Sequence, residues 1–147
     1  YEIRVTLLQL ACGFSLLACD GSLVQPRLYC NQVIQQKKIY STETINAMRE
    51  IINLTHPGNT AQNGRIEGYN VMGKTGTAYL ITHGNYDKNR SIYTFVGLIE
   101  KGDYKRIICT FIREPKKKNN RPLYAATIAV PLFKHVAHVM ISHDTMI

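Results

Sequence analysis

The sequence predicts an α+β fold of three helices and one antiparallel sheet of three strands. Two apolar segments early in the chain and one near its end repeat at helical spacing, while the middle holds three runs rich in β-branched and aromatic residues. The connections between those runs are short, as antiparallel neighbours require.

From Val5 to Cys19, leucines, alanines and cysteines occupy almost every face, the pattern of a helix buried on most sides, at about 4–20. "DGSLVQPR" stops it, with Gly21 as the C-terminal cap and Pro26 excluding further helix. "STETINAMREIINLT" opens on Ser41 or Thr42 as N-cap, keeps Glu43 and Glu50 outside and repeats Ile45, Met48 and Ile52, giving a helix at about 42–54. "HPGNTAQNGRIEG" is rich in turn formers and reads as a loop. Strands follow at about 69–82, 91–100 and 105–113, joined by "HGNYDKNR" and by "EKGDYK", the latter a hairpin turn carrying Gly102. A closing helix at about 126–142 sets Val130, Phe133, Ala137 and Met140 on one face, and either tolerates Pro131 in its early turns or starts there. There is no internal repeat and no low-complexity tract.

With 147 residues and 45% apolar content, the chain holds one domain's worth of core or a part of a larger domain. The net charge of +8 comes largely from small groups, Lys37-Lys38 and Lys116-Lys117-Lys118 with Arg121, in polar segments that read as solvated loops. Cys12, Cys19, Cys30 and Cys109 form no C-x-x-C pair, which leaves buried free thiols as the expectation. The longest apolar run is too short and too interrupted by Thr6, Gln9, Gly13 and Ser15 to span a bilayer. The chain starts in the lead-in to a helix without an initiating methionine, so a piece of a longer polypeptide is expected.

One stretch, "GYNVMGKTGTAYLIT", fits two chemistries. Residues 68–75 spell G-x-x-x-x-G-K-T, a phosphate loop, and residues 74–77 spell K-T-G-T. A phosphate loop needs a strand before it and a helix N-terminus after it. Here a polar loop precedes Gly68, and Gly76 with β-formers follows Thr75, so the flanks demand a strand. On a strand, Lys74, Thr75, Gly76 and Thr77 supply a cation, two hydroxyls and exposed amides over four residues, with Gly76 letting a substrate backbone come close. Such a cluster suits an anionic, peptide-like substrate. Strand alternation sets Lys74 and Gly76 on one face and Thr75 and Thr77 on the other, unless a twist at Gly76 relaxes it.

Four blocks in order then resemble the C-terminal part of the transpeptidase domain of class B penicillin-binding proteins, most of all the division-specific type. "VTLLQLACGFSLLACDGSLVQPRL" is similar to V-T-P-L-Q-L-A with N-G-G and P-R-L; "NTAQNGRIEGYNVMGKTGTA" to G-T-A, G-Y and G-K-T-G-T-A. "YTFVGLIE" is similar to S-F-V-G-F-x-P, and "REPKKKNNRPLYAATIAVPLFKHV" to D-E-P, Y-G-G and A-x-P-x-F. The resemblance implies a part of a penicillin-binding/β-lactamase-like domain. It also implies a serine acyltransfer that crosslinks cell-wall stem peptides ending in D-Ala-D-Ala during cell division, with β-lactams as mimics and no cofactor or metal. Lys74 would organise proton transfer and attract the substrate carboxylate, Thr75 and Thr77 would bind that carboxylate, and the Thr77 amide would be an oxyanion donor. The implied partners are the missing N-terminal part of the same transpeptidase and division proteins. The implied location is the extracytoplasmic, periplasmic face of the inner membrane, through an anchor absent from this chain.

None of Ser15, Ser22, Ser41, Ser91 and Ser142 has a Lys three residues on, and no Ser-x-Asn occurs. The chain alone is therefore expected to be inactive. The alternative is a non-catalytic remnant or split-gene half that serves as an interaction module. Leu7 stands where the family has Pro, Met72 where a small residue is usual, Tyr79 where a polar one is common, and Ala125-Ala126 where it has a Gly pair. Weaker patterns carry little: His135 and His138 lack a third metal ligand, "SHD" at 142–144 places triad residue types side by side rather than opposed, and the tyrosines do not interleave with the basic groups as nucleic-acid binding needs.

Overall fold

In the computed structural model, residues 3–116 and 123–145 are described. The first helix, α1 (Leu7–Ala18), begins where Thr6 caps it. The Thr6 hydroxyl accepts the Gln9 N–H at 3.1 Å, and the Gln9 side chain accepts the Thr6 N–H at 2.8 Å. This reciprocal box starts the helix later than residue 4, and Leu7 takes the first helical position, where proline is also at home. At the other end Asp20 (φ 51) adopts the left-handed conformation, and Gly21 (φ 83) donates its N–H to Leu16 O at 2.6 Å. The predicted glycine cap is thus shared with Asp20, one residue earlier.

Two short strands not predicted from sequence, β1 (Ser22–Val24) and β2 (Gln36–Lys38), pair antiparallel. Three residues are too few to show a period. Lys37 and Lys38 consequently lie on an exposed strand rather than in a loop, and Lys38 pairs with Asp20 at 3.2 Å. Lys117, Lys118 and Arg121 lie outside the described residues.

Helix α2 (Thr42–Ile52) is capped by Ser41, whose hydroxyl accepts the Thr44 N–H at 3.3 Å. Ile45 and Ile52 are buried, but Met48 is 46% exposed. Met48 lies about 60° round the helix from Ile45, enough to turn it off the buried stripe.

The main sheet has the order β3-β4-β5, all antiparallel, from β3 (Asn70–Thr82), β4 (Asn85–Lys101) and β5 (Tyr104–Arg113). β4 begins at Asn85, so most of the predicted "HGNYDKNR" connection is strand. The true connection is His83-Gly84, at φ 50 and 79, the pair of positive values that a type I′ turn uses to match strand twist. β5 pairs only with Ile92–Lys101. The outer part of the β3–β4 hairpin is therefore a two-stranded ribbon, with a register shift between Tyr79 and Leu80.

Alternation along the strands divides the core. Val71, Phe95 and Ile99 face Leu54, Ala61, Val130, Phe133 and Ala137, so α3 (Ala125–Asp144) covers this side. Met72 and Leu98 face Leu17, Ile45 and Ile52, so α1 and α2 cover the other. Helix α3 runs through Pro131, and Met140 is only partly buried against the same core. By length and composition α3 could cross a membrane, yet its apolar stripe packs on the sheet as a core helix. All four cysteines are free. Against expectation Cys30 is exposed and the others only half-buried. His135 and His138 are exposed, and among the described residues no three His, Cys, Asp or Glu side chains are grouped for a metal.

Candidate functional site

The K-T-G-T segment lies on β3, an edge strand whose start is clamped by α2. Asn53, just past the helix, forms a bridge with Met72, and the Leu54 N–H donates to Val71 O at 2.9 Å. Behind them, Arg49 donates to Leu17 O at 2.6 Å and pairs with Glu100. Asn70 donates to Glu100 at 2.9 Å and accepts from Asn53 at 2.8 Å. One polar network thus ties the C-terminus of α1, α2, β3 and β4 together at Asn70, four residues before Lys74.

Lys74 is exposed, its Nζ donating to the Thr75 carbonyl at 3.1 Å, and it forms no ion pair among the described residues. Its cation is available to an incoming anion. The hydroxyls of Thr75 and Thr60 lie 3.2 Å apart. Packing within the sheet also requires Gly76 to lack a side chain: a Cβ there would collide with the Thr94 hydroxyl, which donates to Gly76 O at 3.4 Å. Thr77 is exposed opposite Tyr93. The pairing with β4 runs unbroken from Asn70 to Tyr79, so no irregularity sits at Gly76 and the alternation holds: Lys74 shares the face of Met72, while Thr75 and Thr77 share that of Val71.

A phosphate loop is incompatible with this geometry, because Gly73–Thr77 is strand interior with no helix behind it. Glu100, the acidic residue closest to a magnesium role, is already held by Arg49 and Asn70. Two of the serines have structural partners: Ser15 donates to Cys12 O at 2.6 Å and accepts from Val24 N–H at 3.1 Å, and Ser41 caps α2, while Ser91 is buried in the sheet.

Beside Lys74 a groove of about 1030 Å³ opens between α1, α2 and β3. Leu10, Phe14, Met48 and Ile51 line its apolar length, and Thr60, Lys74 and Thr75 its polar end. Ile51 is 65% exposed there, an unusual place for a helix to leave an isoleucine. Sequence reasoning missed Asn59 and Thr60 at this site, although both stand in the "NTAQ" block beside the predicted strand.

The family profile of the penicillin binding protein transpeptidase domain matches residues 1–136. The chain belongs to this transpeptidase family. It is 32% identical over 139 residues to the probable peptidoglycan D,D-transpeptidase PenA of Neisseria gonorrhoeae, covering 92% of this chain and 23% of that protein. Stage V sporulation protein D of Bacillus subtilis is 29% identical over 103 residues, 70% of this chain and 16% of that protein. Among solved structures, the apo transpeptidase domain of Burkholderia pseudomallei penicillin-binding protein 3 superposes with a TM-score of 0.76 at 25% identity, covering 97% of this chain and 44% of that one. The α+β architecture is accordingly part of the penicillin-binding/β-lactamase-like fold. The chain spans between about a quarter and a third of the length of the PenA relatives it matches.

Proposed function

We propose that this chain supplies the K-T-G-T half of a peptidoglycan D,D-transpeptidase that crosslinks stem peptides during cell division. The observation that carries this is the placement of Lys74 and Thr75 at the polar end of a large apolar groove on a chain that spans under half of a related transpeptidase domain. An apolar groove of this size left open on a fragment is the surface the rest of the domain covers. The serine nucleophile and its lysine come from that remainder, since no serine here has the needed spacing. The serine attacks the D-Ala-D-Ala carbonyl, expels the terminal D-Ala and forms an acyl-enzyme, which an amine of a second stem peptide resolves. Lys74 holds its charge beside the reacting groups and draws in the substrate carboxylate. Thr75 and Thr77 bind that carboxylate through their hydroxyls, and the Thr77 N–H donates to the oxyanion. β-Lactams, as mimics of the stem peptide, are proposed to enter the same place; a Mycobacterium tuberculosis penicillin-binding protein 3 of similar fold, solved with aztreonam and with ampicillin, supports β-lactam binding in such domains. Catalysis proceeds at the extracytoplasmic face of the membrane, among division proteins, through an anchor carried elsewhere in the polypeptide. The chain alone does not turn over substrate.

The test labels source cells with a fluorescent penicillin, captures with an antibody to this chain and reads size and fluorescence on a denaturing gel. A labelled band several times larger than 16.7 kDa is expected. An unlabelled band near 16.7 kDa would replace this reading with that of a free-standing remnant.

A further inference from the structure

From the contact between Thr60 and Thr75 we infer that Thr60 is a positioning residue, holding the Thr75 hydroxyl ready to donate to a substrate carboxylate; this rests on the transpeptidase reading above. Thr60 lies in the turn that follows α2, and both of its neighbours are anchored. The Asn59 side chain donates to the carbonyls of Ile52 at 3.3 Å and Asn53 at 3.0 Å, and its oxygen accepts the Ala61 N–H at 2.9 Å. Asn59 thereby closes the end of α2 and shapes the turn with one side chain. Ala61 is fully buried in the core under α3, and its carbonyl accepts the Gly64 N–H at 2.8 Å. Between these two fixed points the Thr60 side chain stays exposed, with its hydroxyl 3.2 Å from that of Thr75.

Each threonine hydroxyl has one proton and two lone pairs, and either can donate across this contact. A carboxylate bound at Thr75 can only accept, so the Thr75 proton turns to it and the contact with Thr60 then needs Thr60 as donor. The chain Thr60 to Thr75 to carboxylate has one direction when an anion is bound, and donation into Thr75 strengthens its own hydrogen bond. Without an anion the Thr60 hydroxyl keeps Thr75 in the same rotamer, so less side-chain freedom is lost on binding. Lys74 attracts the anion by charge, and the hydroxyl pair gives that attraction a direction.

The test uses the complete native protein and two probes, benzylpenicillin as its free acid and its methyl ester, with acylation rates read by mass spectrometry. Thr60→Val, which keeps the shape and removes the hydroxyl, is expected to slow acylation by the acid about tenfold and by the ester less than about twofold. Thr60→Ser restores the acid rate, and Thr60→Val made on a Thr75→Val background adds no further loss. A thermal melt of Thr60→Val shows whether the fold is retained. Equal slowing with acid and ester, an unchanged acid rate, or additive losses in the double variant would each overturn the role of Thr60. If the unmutated protein is acylated by neither compound, the transpeptidase reading falls and this role with it. If the unmutated protein is acylated and Thr60→Val matches it, only Thr60's role is lost.

Discussion

Gly97, in the middle of β4, has no room for a side chain, since a Cβ there would lie 2.6 Å from the Phe133 ring. Phe133 is fully buried and stacks edge-on against Phe95 with ring centroids 4.7 Å apart, so neither ring can retreat. Gly97→Ala is therefore expected to cost about 1–3 kcal/mol, read from the denaturant midpoint at unchanged slope. An unshifted midpoint would mean that α3 slides on the sheet. Charge acts at the same scale. Hydrogen bonds from Arg90, at 2.5 Å, and Arg113, at 3.1 Å, hold the Glu114 carboxyl below the usual glutamate range, and a Thr42 hydroxyl with Lys38 does the same for Asp20. A carboxylate whose folded value is depressed stabilises the fold above its ordinary value and loses that stabilisation as pH falls through the folded one. The melting temperature should fall as the pH drops below the usual carboxylate range, and Glu114→Gln should flatten that fall. A pH-independent melting temperature would rule out these pairs as contributors.

At the scale of elements, the helices were legible from their helical spacing, and α2 also from its cap, since Ser41 is one of the two N-caps its sequence offers. The cap of α1, Thr6 with Gln9, was not read and starts that helix later than expected. The β3 half of the β3–β4 hairpin was legible to its end, but the outer half of β4, from Asn85, was read as a connection. Before Ile92 that strand has no β5 beside it, and Tyr86 is 46% exposed, so burial pattern could not mark it as strand. A two-stranded ribbon outside the core opens at low cost. Amides of residues 80–90 should exchange with solvent well before those of 92–99, as native-state hydrogen exchange would read. Equal protection of both stretches would mean that something covers the tip.

For the whole molecule, the two faces of the sheet are unequally finished. Helix α3 closes one, whereas α1 and α2 leave the groove open on the other, with Val5, Met48 and Ile51 exposed along it. The outer edge of β5 is also unpaired among the described residues. The chain expressed by itself is expected to associate and to bind a hydrophobic dye, and Met48→Lys with Ile51→Lys should reduce both in light scattering and fluorescence. A monomeric, dye-free chain would show that the groove needs no cover.

The sequence by itself determined the α+β class, the strand that carries Lys74 to Thr77 and the family, because helical period, strand composition, caps and a K-T-G-T flanked by β-formers are all local. Only the tertiary structure decided the rest. The partnership of Thr60 with Thr75 spans 15 residues and the pairing of Arg49 with Glu100 spans 51, the first made by a loop folding back on β3 and the second by α2 packing on β4. The lack of room at Gly97 depends on the ring of Phe133 above it. Contacts of this kind arise from packing between distant segments, and no local pattern encodes which distant residue will arrive.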